Sequence, residues 1–276
     1  MKKSIALLCT GALALSSLAG CSGDTSSTTD AASGDWNYIQ ENGKLTIGIT
    51  YFEPMNYLDD SGNLTGFETE FAEAVCEKIG IEPVFQKIDW ETKEVELNAK
   101  TIDCIWNGMT INDERKANMD ISTPYMENKQ VMVVKSENAS KYTDANSLSG
   151  ATVVAEKKSA GETVAQTDEF FTSATYVAVD SQAKALMEVK SGTADVAIID
   201  YVMSIGSIGE GTDYADLSVV EGNDFAKEQY GIAFRKDSPE TLEKVNTAIQ
   251  ELANDGTLET IAKKYKLDEL LLVQPE

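Results

Sequence analysis

The chain has 276 residues, enough for two modest domains with cores of their own, and its 42% apolar content makes a folded protein the default. Its 46 acidic residues against 23 basic ones give a net charge of −23, which argues against nucleic acid or any polyanion as partner. Histidine is absent, so His-based triads, the commonest general base and the commonest zinc ligand all drop out together. Of the four cysteines, no pair has metal-site spacing. Cys76 and Cys104 read as buried thiols, with a disulfide between them left open. No metal or cofactor is implied.

Met1-Lys2-Lys3 and the apolar run from Ile5 to Leu18 form an export signal over residues 1–20, too short for an ordinary membrane span. Leu18-Ala19-Gly20-Cys21 then resembles a bacterial lipobox, which implies cleavage before Cys21 and acylation of that residue. Loss of Lys2 and Lys3, with no acid removed, would take the charge from −23 to −25. Residues 21–40 read as the lipidated cysteine and a tether. Its small polar stretch, 22–35, reaches roughly 20 Å as a random coil.

The folded part opens with a strand from Lys44 to Thr50, stopped at Pro54. Asp59-Asp60-Ser61-Gly62 reads as a hairpin turn, since its glycine comes too early for a calcium loop. Phe67, Phe71, Ala74, Val75 and Ile79 mark one face of a helix closed by Gly80. A strand around Val84, a helix through Val95 and Leu97, and a strand from Ile102 to Trp106 complete a strand–helix–strand–helix–strand order that implies a parallel sheet.

A second α/β unit follows. Strands are expected at 151–155, 176–179 and 194–200, and helices from Ser159 and over 182–189. The segments 97–105 and 187–197 share a helix, basic turn, Asp and strand pattern, a weak repeat suggesting two lobes built alike. Gly206 to Gly211 reads as a loop, because it lacks the phosphate-loop lysine. From Gln229 the chain returns to the first lobe. There Ser238-Pro239 reads as an N-cap followed by proline at the first helical position, Leu242, Val245, Ile249 and Leu252 form a buried stripe, and a last helix carries Leu258, Ile261, Ala262 and Tyr265.

The richest stretch is 102–125. After the apolar strand, Asn107-Gly108 breaks the run and Asn112-Asp113 offers a cap for a short helix that carries Arg115. A hydroxyl, Thr110, a guanidinium and backbone N–H groups therefore follow the carboxyl end of a strand, where open α/β sheets place ligands. The planar fork of an arginine can hold both oxygens of a carboxylate while the hydroxyl takes a remaining lone pair. An isolated Thr-x-x-x-x-Arg would instead suit a surface arginine paired with Asp113 or Asp120.

The run Asn107-Gly-Met-Thr-Ile-Asn-Asp-Glu-Arg-Lys116, with Asp120 and Tyr125 after it, resembles the signature of the family 3 extracellular solute-binding proteins, the amino-acid receptors of ABC importers. The resemblance spans about residues 42–268. It implies an α/β, bilobed type II periplasmic-binding-protein fold with two hinge crossings, near 125–130 and 226–230. One lobe would comprise 41–126 and 230–276, the other 127–229.

It gives Thr110 and Arg115 the ligand's α-carboxylate and Asp200 its ammonium. A lone Asp200 would more often be a helix cap. Phe52 and Trp90 match aromatic or apolar walls, with core packing an equal alternative for Trp90. Gly108 fits a place where backbone must approach the ligand, Asn107 beside it is a further ligand-binding candidate, and the N–H groups of Ser159 and Ala160, at a helix N-terminus, could add donors. Glu53 and Glu156 are possible specificity residues, although a Glu156 facing solvent is the simpler reading.

The expected partners are a free amino acid, an ABC permease and a membrane reached through the lipid anchor, with a monomeric receptor on the extracytoplasmic face. Two other functions use the same fold. One is a dehydratase-type enzyme acting on cyclic carboxylic acids, with acid–base work falling to Glu53, Asp89 or Glu156. The other is the ligand-sensing module of a signalling system.

Overall fold

The computed structural model describes residues 35–222 and 225–276. The expected signal segment, Cys21 and residues 22–34 lie outside the described residues. The expected tether runs too far, however. Helix α1 (Trp36–Asn42) buries Trp36 and Ile39, and Gly43 closes it in the left-handed conformation with its N–H on the Gln40 carbonyl. Two large apolar side chains in four residues secure this segment to the core.

From there the chain forms β1 (Lys44–Ile49), the hairpin β2 (Tyr57–Leu58) and β3 (Leu64–Thr65), α2 (Phe67–Ile79), β4 (Glu82–Lys87), α3 (Lys93–Asn98), β5 (Cys104–Ile105), α4 (Asp113–Asn118) and β6 (Met119–Ile121). A second series follows with β7 (Met126–Lys135), β8 (Thr152–Glu156), α5 (Ala160–Thr167), β9 (Thr175–Val179), α6 (Gln182–Ser191), β10 (Val196–Asp200), α7 (Tyr201–Ser207), β11 (Leu217–Val219) and β12 (Phe225–Tyr230). The chain ends with β13 (Ala233–Arg235), α8 (Pro239–Asn254) and α9 (Thr257–Lys264).

These strands make two main sheets. The first has the order β4-β1-β5-β13-β6, with β1 parallel to β4 and β5 and with β13 antiparallel to β5 and β6. The second has the order β11-β7-β10-β8-β9, with β12 also on β7. β8 runs parallel to both β9 and β10, whereas β7 is antiparallel to β10. Both connections between the sheets run through one ribbon. β7 leaves the first lobe at Met126 and β12 returns beside it, pairing Tyr230 with Met126 and Glu228 with Asn128.

The central strand pairs over only two residues, Cys104 and Ile105, although every residue from Ile102 to Thr110 is buried. Cys76 and Cys104 are both buried free thiols, and burial pushes Cys76 up to about 12 and Cys104 well above the usual thiol range. Two local expectations fail. Ser238 precedes proline at the start of α8, but its hydroxyl does not cap that helix; its N–H donates to Asp120 Oδ2 at 2.8 Å instead. Gly206 and Ser207, expected in a loop, finish α7. A Cβ on Gly206 would stand 2.9 Å from the ring of Pro54, so a glycine lets this lobe-two helix approach lobe one.

Candidate functional site

A small cavity of about 20 Å³ lies between the two sheets and is lined from both lobes. Thr50, Phe52, Trp90, Asn107, Gly108, Thr110 and Arg115 line it from the first lobe, and Glu156, Ser159, Ala160, Ser181, Gln182 and Asp200 from the second. Nine sequence candidates and Glu156 therefore meet in one place. Glu53 does not. It is exposed, and its side chain approaches Gly206 rather than the cavity.

The basic pole is built by one short segment. Asn112 caps α4 by accepting the Arg115 N–H at 2.8 Å, which fixes the backbone from which the guanidinium projects. Arg115 is buried. It donates to the Thr110 carbonyl at 2.7 Å and the Lys158 carbonyl at 3.3 Å, and stands 5.9 Å from the Trp90 ring centroid. These contacts replace the surface pairing with Asp113 or Asp120 that the isolated motif suggested. Burial lowers its pKa from the usual value, with nearby acids such as Glu228 and Asp200 acting against that shift.

Trp90 is both core and wall. It packs with Ile88, Leu97 and Met109 and also presents its ring to two cations, since Lys93 Nζ lies 4.5 Å from its centroid. Gly108, at φ +53°, brings backbone against Phe52, where a Cβ would come within 2.5 Å of the ring. The Asn107 side chain is committed inward. It accepts the Thr50 N–H at 2.8 Å and donates to Thr50 Oγ1 at 2.7 Å, so it positions the wall.

The acidic pole is assembled from distant segments. Asp200 ends β10, and its side chain makes no cap bond to the following helix. Its Oδ1 instead accepts from Asn128 Nδ2 at 2.7 Å and from Gln130 Nε2, its Oδ2 from Gln182 Nε2, and its own N–H donates to Gln182 Oε1 at 2.8 Å. Burial raises the Asp200 pKa, and these three amide donors oppose the rise.

Glu228, on the returning strand, shares the Asn128 and Gln130 amides through its Oε1. Burial, then the Asp200 charge, lifts its pKa to about 7. Asn128, Gln130, Gln182 and Glu228 escaped the sequence reading. The one available signal was the period-two placement of Asn128 and Gln130 just ahead of the apolar run 131–134 of the same strand.

Two expectations at the helix N-terminus and the specificity wall need correction. The Ser159 N–H is already taken by the Glu156 carbonyl at 3.2 Å, so it adds no free donor; its hydroxyl caps α5 by accepting the Glu162 N–H at 3.1 Å. Glu156 does not face solvent. It is 5% exposed, its Oε1 has no hydrogen-bond partner, and burial followed by the Asp200 charge raises its pKa to about 8.

The lobes touch across the cavity. Lys93 Nζ reaches the Lys158 carbonyl at 3.4 Å, and Lys157 Nζ stands 3.9 Å from Glu91 Oε2. Deeper still, Tyr125 donates to Glu68, whose Oε1 also accepts the Gly108 N–H at 2.7 Å. Burial lifts the Glu68 pKa to about 7.

With this geometry in place, likeness to known proteins is specific. The chain is 30% identical over 231 residues to the L-cystine-binding protein of Escherichia coli, covering 83% of this chain and 85% of that one. It is 30% identical over 241 residues to an arginine-binding extracellular protein of Bacillus subtilis, covering 85% and 91%. A solved ancestral arginine-binding protein in complex with arginine shares 32% identity and a TM-score of 0.73, covering 81% of this chain and 98% of that one. An ancestral amino acid-binding protein described as a precursor of cyclohexadienyl dehydratase shares 30% identity and the same TM-score, covering 83% and 97%. The profile of the bacterial extracellular solute-binding proteins, family 3, matches residues 45–268, and the chain belongs to that family.

Proposed function

We propose that the chain is an extracytoplasmic receptor that binds one free amino acid between its two lobes and delivers it to an ABC importer. The observation that carries this is the placement of Arg115 and Asp200, 85 residues apart, on the walls of one cavity. An amino acid is a zwitterion with poles a few ångströms apart. A guanidinium on one lobe and a carboxylate on the other match it end for end. Arg115, with Thr110 beside it, takes the α-carboxylate in a bidentate grip, Ala160 at the start of α5 contributes from lobe two, and Asp200 takes the ammonium. Phe52 and Trp90 exclude water.

A ligand of about ten heavy atoms can contribute at most about 1.5 kcal/mol per atom, so useful affinity requires nearly every atom to be engaged. Closure of the lobes meets that need, and it is the change a permease can read. The contacts of Lys158 with Arg115 and Lys93 belong to the closed arrangement. Of the three acids named for the catalytic alternative, Glu53 and Asp89 are exposed and outside the cavity lining, and Glu156 alone lines it.

The leader and lipobox support a receptor acylated at Cys21, held on the outer face of the membrane by its tether and working as a monomer beside the permease. A thermal-shift screen against the twenty amino acids tests the central reading. One or a few should raise the melting temperature by several degrees; a flat response across the panel would refute it.

A further inference from the structure

The acidic groups in and around the cavity outnumber what a zwitterion requires. Arg115 and Asp200 already match its two poles, yet Glu156 also lines the cavity with Lys93 as a charged neighbour, and Glu228 stands beside Asp200. Three carboxyl groups thus stand against two cations, and a zwitterion brings no further positive charge for the third. Each Asp200 oxygen is held by amides. Lys93, which approaches Glu156 from α3, spends its ammonium on the Trp90 carbonyl at 3.1 Å and the Lys158 carbonyl at 3.4 Å. The Glu156 Oε1, buried at the end of β8, has no partner at all.

An unpaired buried carboxylate is costly, and a ligand that supplies a partner gains what the free protein lacks. Resting on the receptor reading above, we infer that the ligand is an amino acid whose side chain ends in a cation, a guanidinium or an ammonium, and that Glu156 receives it. An aliphatic side chain would bury the carboxylate against hydrocarbon. An acidic one would bring a further acid into the cluster. A cationic one gives that carboxyl the partner it lacks, and Trp90 on the facing lobe lines the same cavity.

The raised pKa of Glu156, near 8 with Asp200 and Lys93 as its charged neighbours, adds a signature. A cation arriving at pH 7 should expel a proton from this carboxyl. A neutral ligand should not.

Calorimetric titration of the full mature domain with arginine, lysine, glutamine and leucine, for the native protein and Glu156→Gln, tests the assignment. Arginine or lysine should bind at least tenfold tighter than glutamine or leucine. Glu156→Gln should weaken that cation ten- to a hundredfold, leave glutamine within threefold, and abolish the proton release measured in buffers of different ionisation heat. Because the substitution preserves shape and Glu156, raised to about 8, already holds its proton at pH 7, the unliganded variant should melt no lower than the native protein. Glutamine or leucine binding as tightly as the cations would overturn the inference while leaving the receptor reading intact. So would a cation affinity or proton count unchanged by Glu156→Gln. Failure of every amino acid to bind would overturn both.

Discussion

The two poles of the cavity are built by opposite means. The basic pole is local, with Asn107 to Arg115 supplying the turn, the hydroxyl, the helix cap and the guanidinium from nine consecutive residues. The acidic pole draws Asp200 from the end of β10, Gln182 from the start of α6, Asn128 and Gln130 from the outgoing crossing strand and Glu228 from the returning one. The first is a rigid clip, whereas the second exists only when the ribbon joining the lobes is in register. The difference suggests a division of labour in which the clip fixes one end of the ligand and the crossing strands sense the other.

The largest test of that division is Arg115→Ala. With no second guanidinium beside the Thr110 carbonyl, it should lower affinity at least a hundredfold by calorimetry, and Arg115→Lys should recover only part of the loss because a lysine cannot form the fork. A fall below tenfold would break the comparison at its stronger end. Asp200→Asn should cost less, about ten- to thirtyfold, since Glu228 shares its amide donors and can hold part of the ammonium's charge. Adding Glu228→Gln should then deepen the defect more than it does alone; strict additivity would separate the two acids.

Gly108→Ala comes next. Its Cβ would meet the Phe52 ring at 2.5 Å on a left-handed backbone, so about 1–3 kcal/mol of stability and a few-fold in affinity should be lost together.

The acidic interior also predicts how stability follows pH. Glu68 and Glu228 at about 7 and Glu156 at about 8 all lie above the value of 4.5 expected when unfolded. Between pH 4.5 and 8 the unfolded chain has released protons that the folded chain still holds, so stability should fall as pH rises through that window. At the other end Asp35, held down by Arg235 and Lys100, and Asp255, lowered to about 2 by Lys78 and Thr257, cost stability as pH drops below 4. The unliganded protein should therefore melt highest near pH 5 and several degrees lower at pH 8, and a profile rising toward pH 8 would contradict these burials. Smallest of all, Glu53→Gln should change affinity less than twofold, because the side chain stands outside the cavity.

The same contrast explains what could be read in the sequence. Arg115 and Thr110 stood out as candidates because their chemistry is packed into one segment with its own cap, although it was resemblance that tipped them from a surface pair to a carboxylate site. Asp200 was legible only through resemblance, and its amide partners not at all, because no pattern along the chain links residue 182 to residues 128 and 228. Fold periodicity behaved likewise. The stripe of α2 and the apolar run of β10 announced themselves, whereas Trp36 and Ile39 sit after a polar stretch whose composition masked the start of the core. Glu156 shows a limit of another kind, since a glutamate beside two lysines looks solvated until the opposing lobe covers it.

The claim beneath all of this is that one ligand spans both poles. The direct measurement is the affinity of the best-stabilising amino acid against two analogues of it, one lacking the α-carboxylate and one lacking the α-amine. Loss of the α-carboxylate should cost at least a hundredfold and become immaterial in Arg115→Ala, and loss of the α-amine should cost at least tenfold and matter much less in Asp200→Asn, where Glu228 retains part of the ammonium's charge. An analogue that binds the native protein as tightly as the intact amino acid would contradict the account.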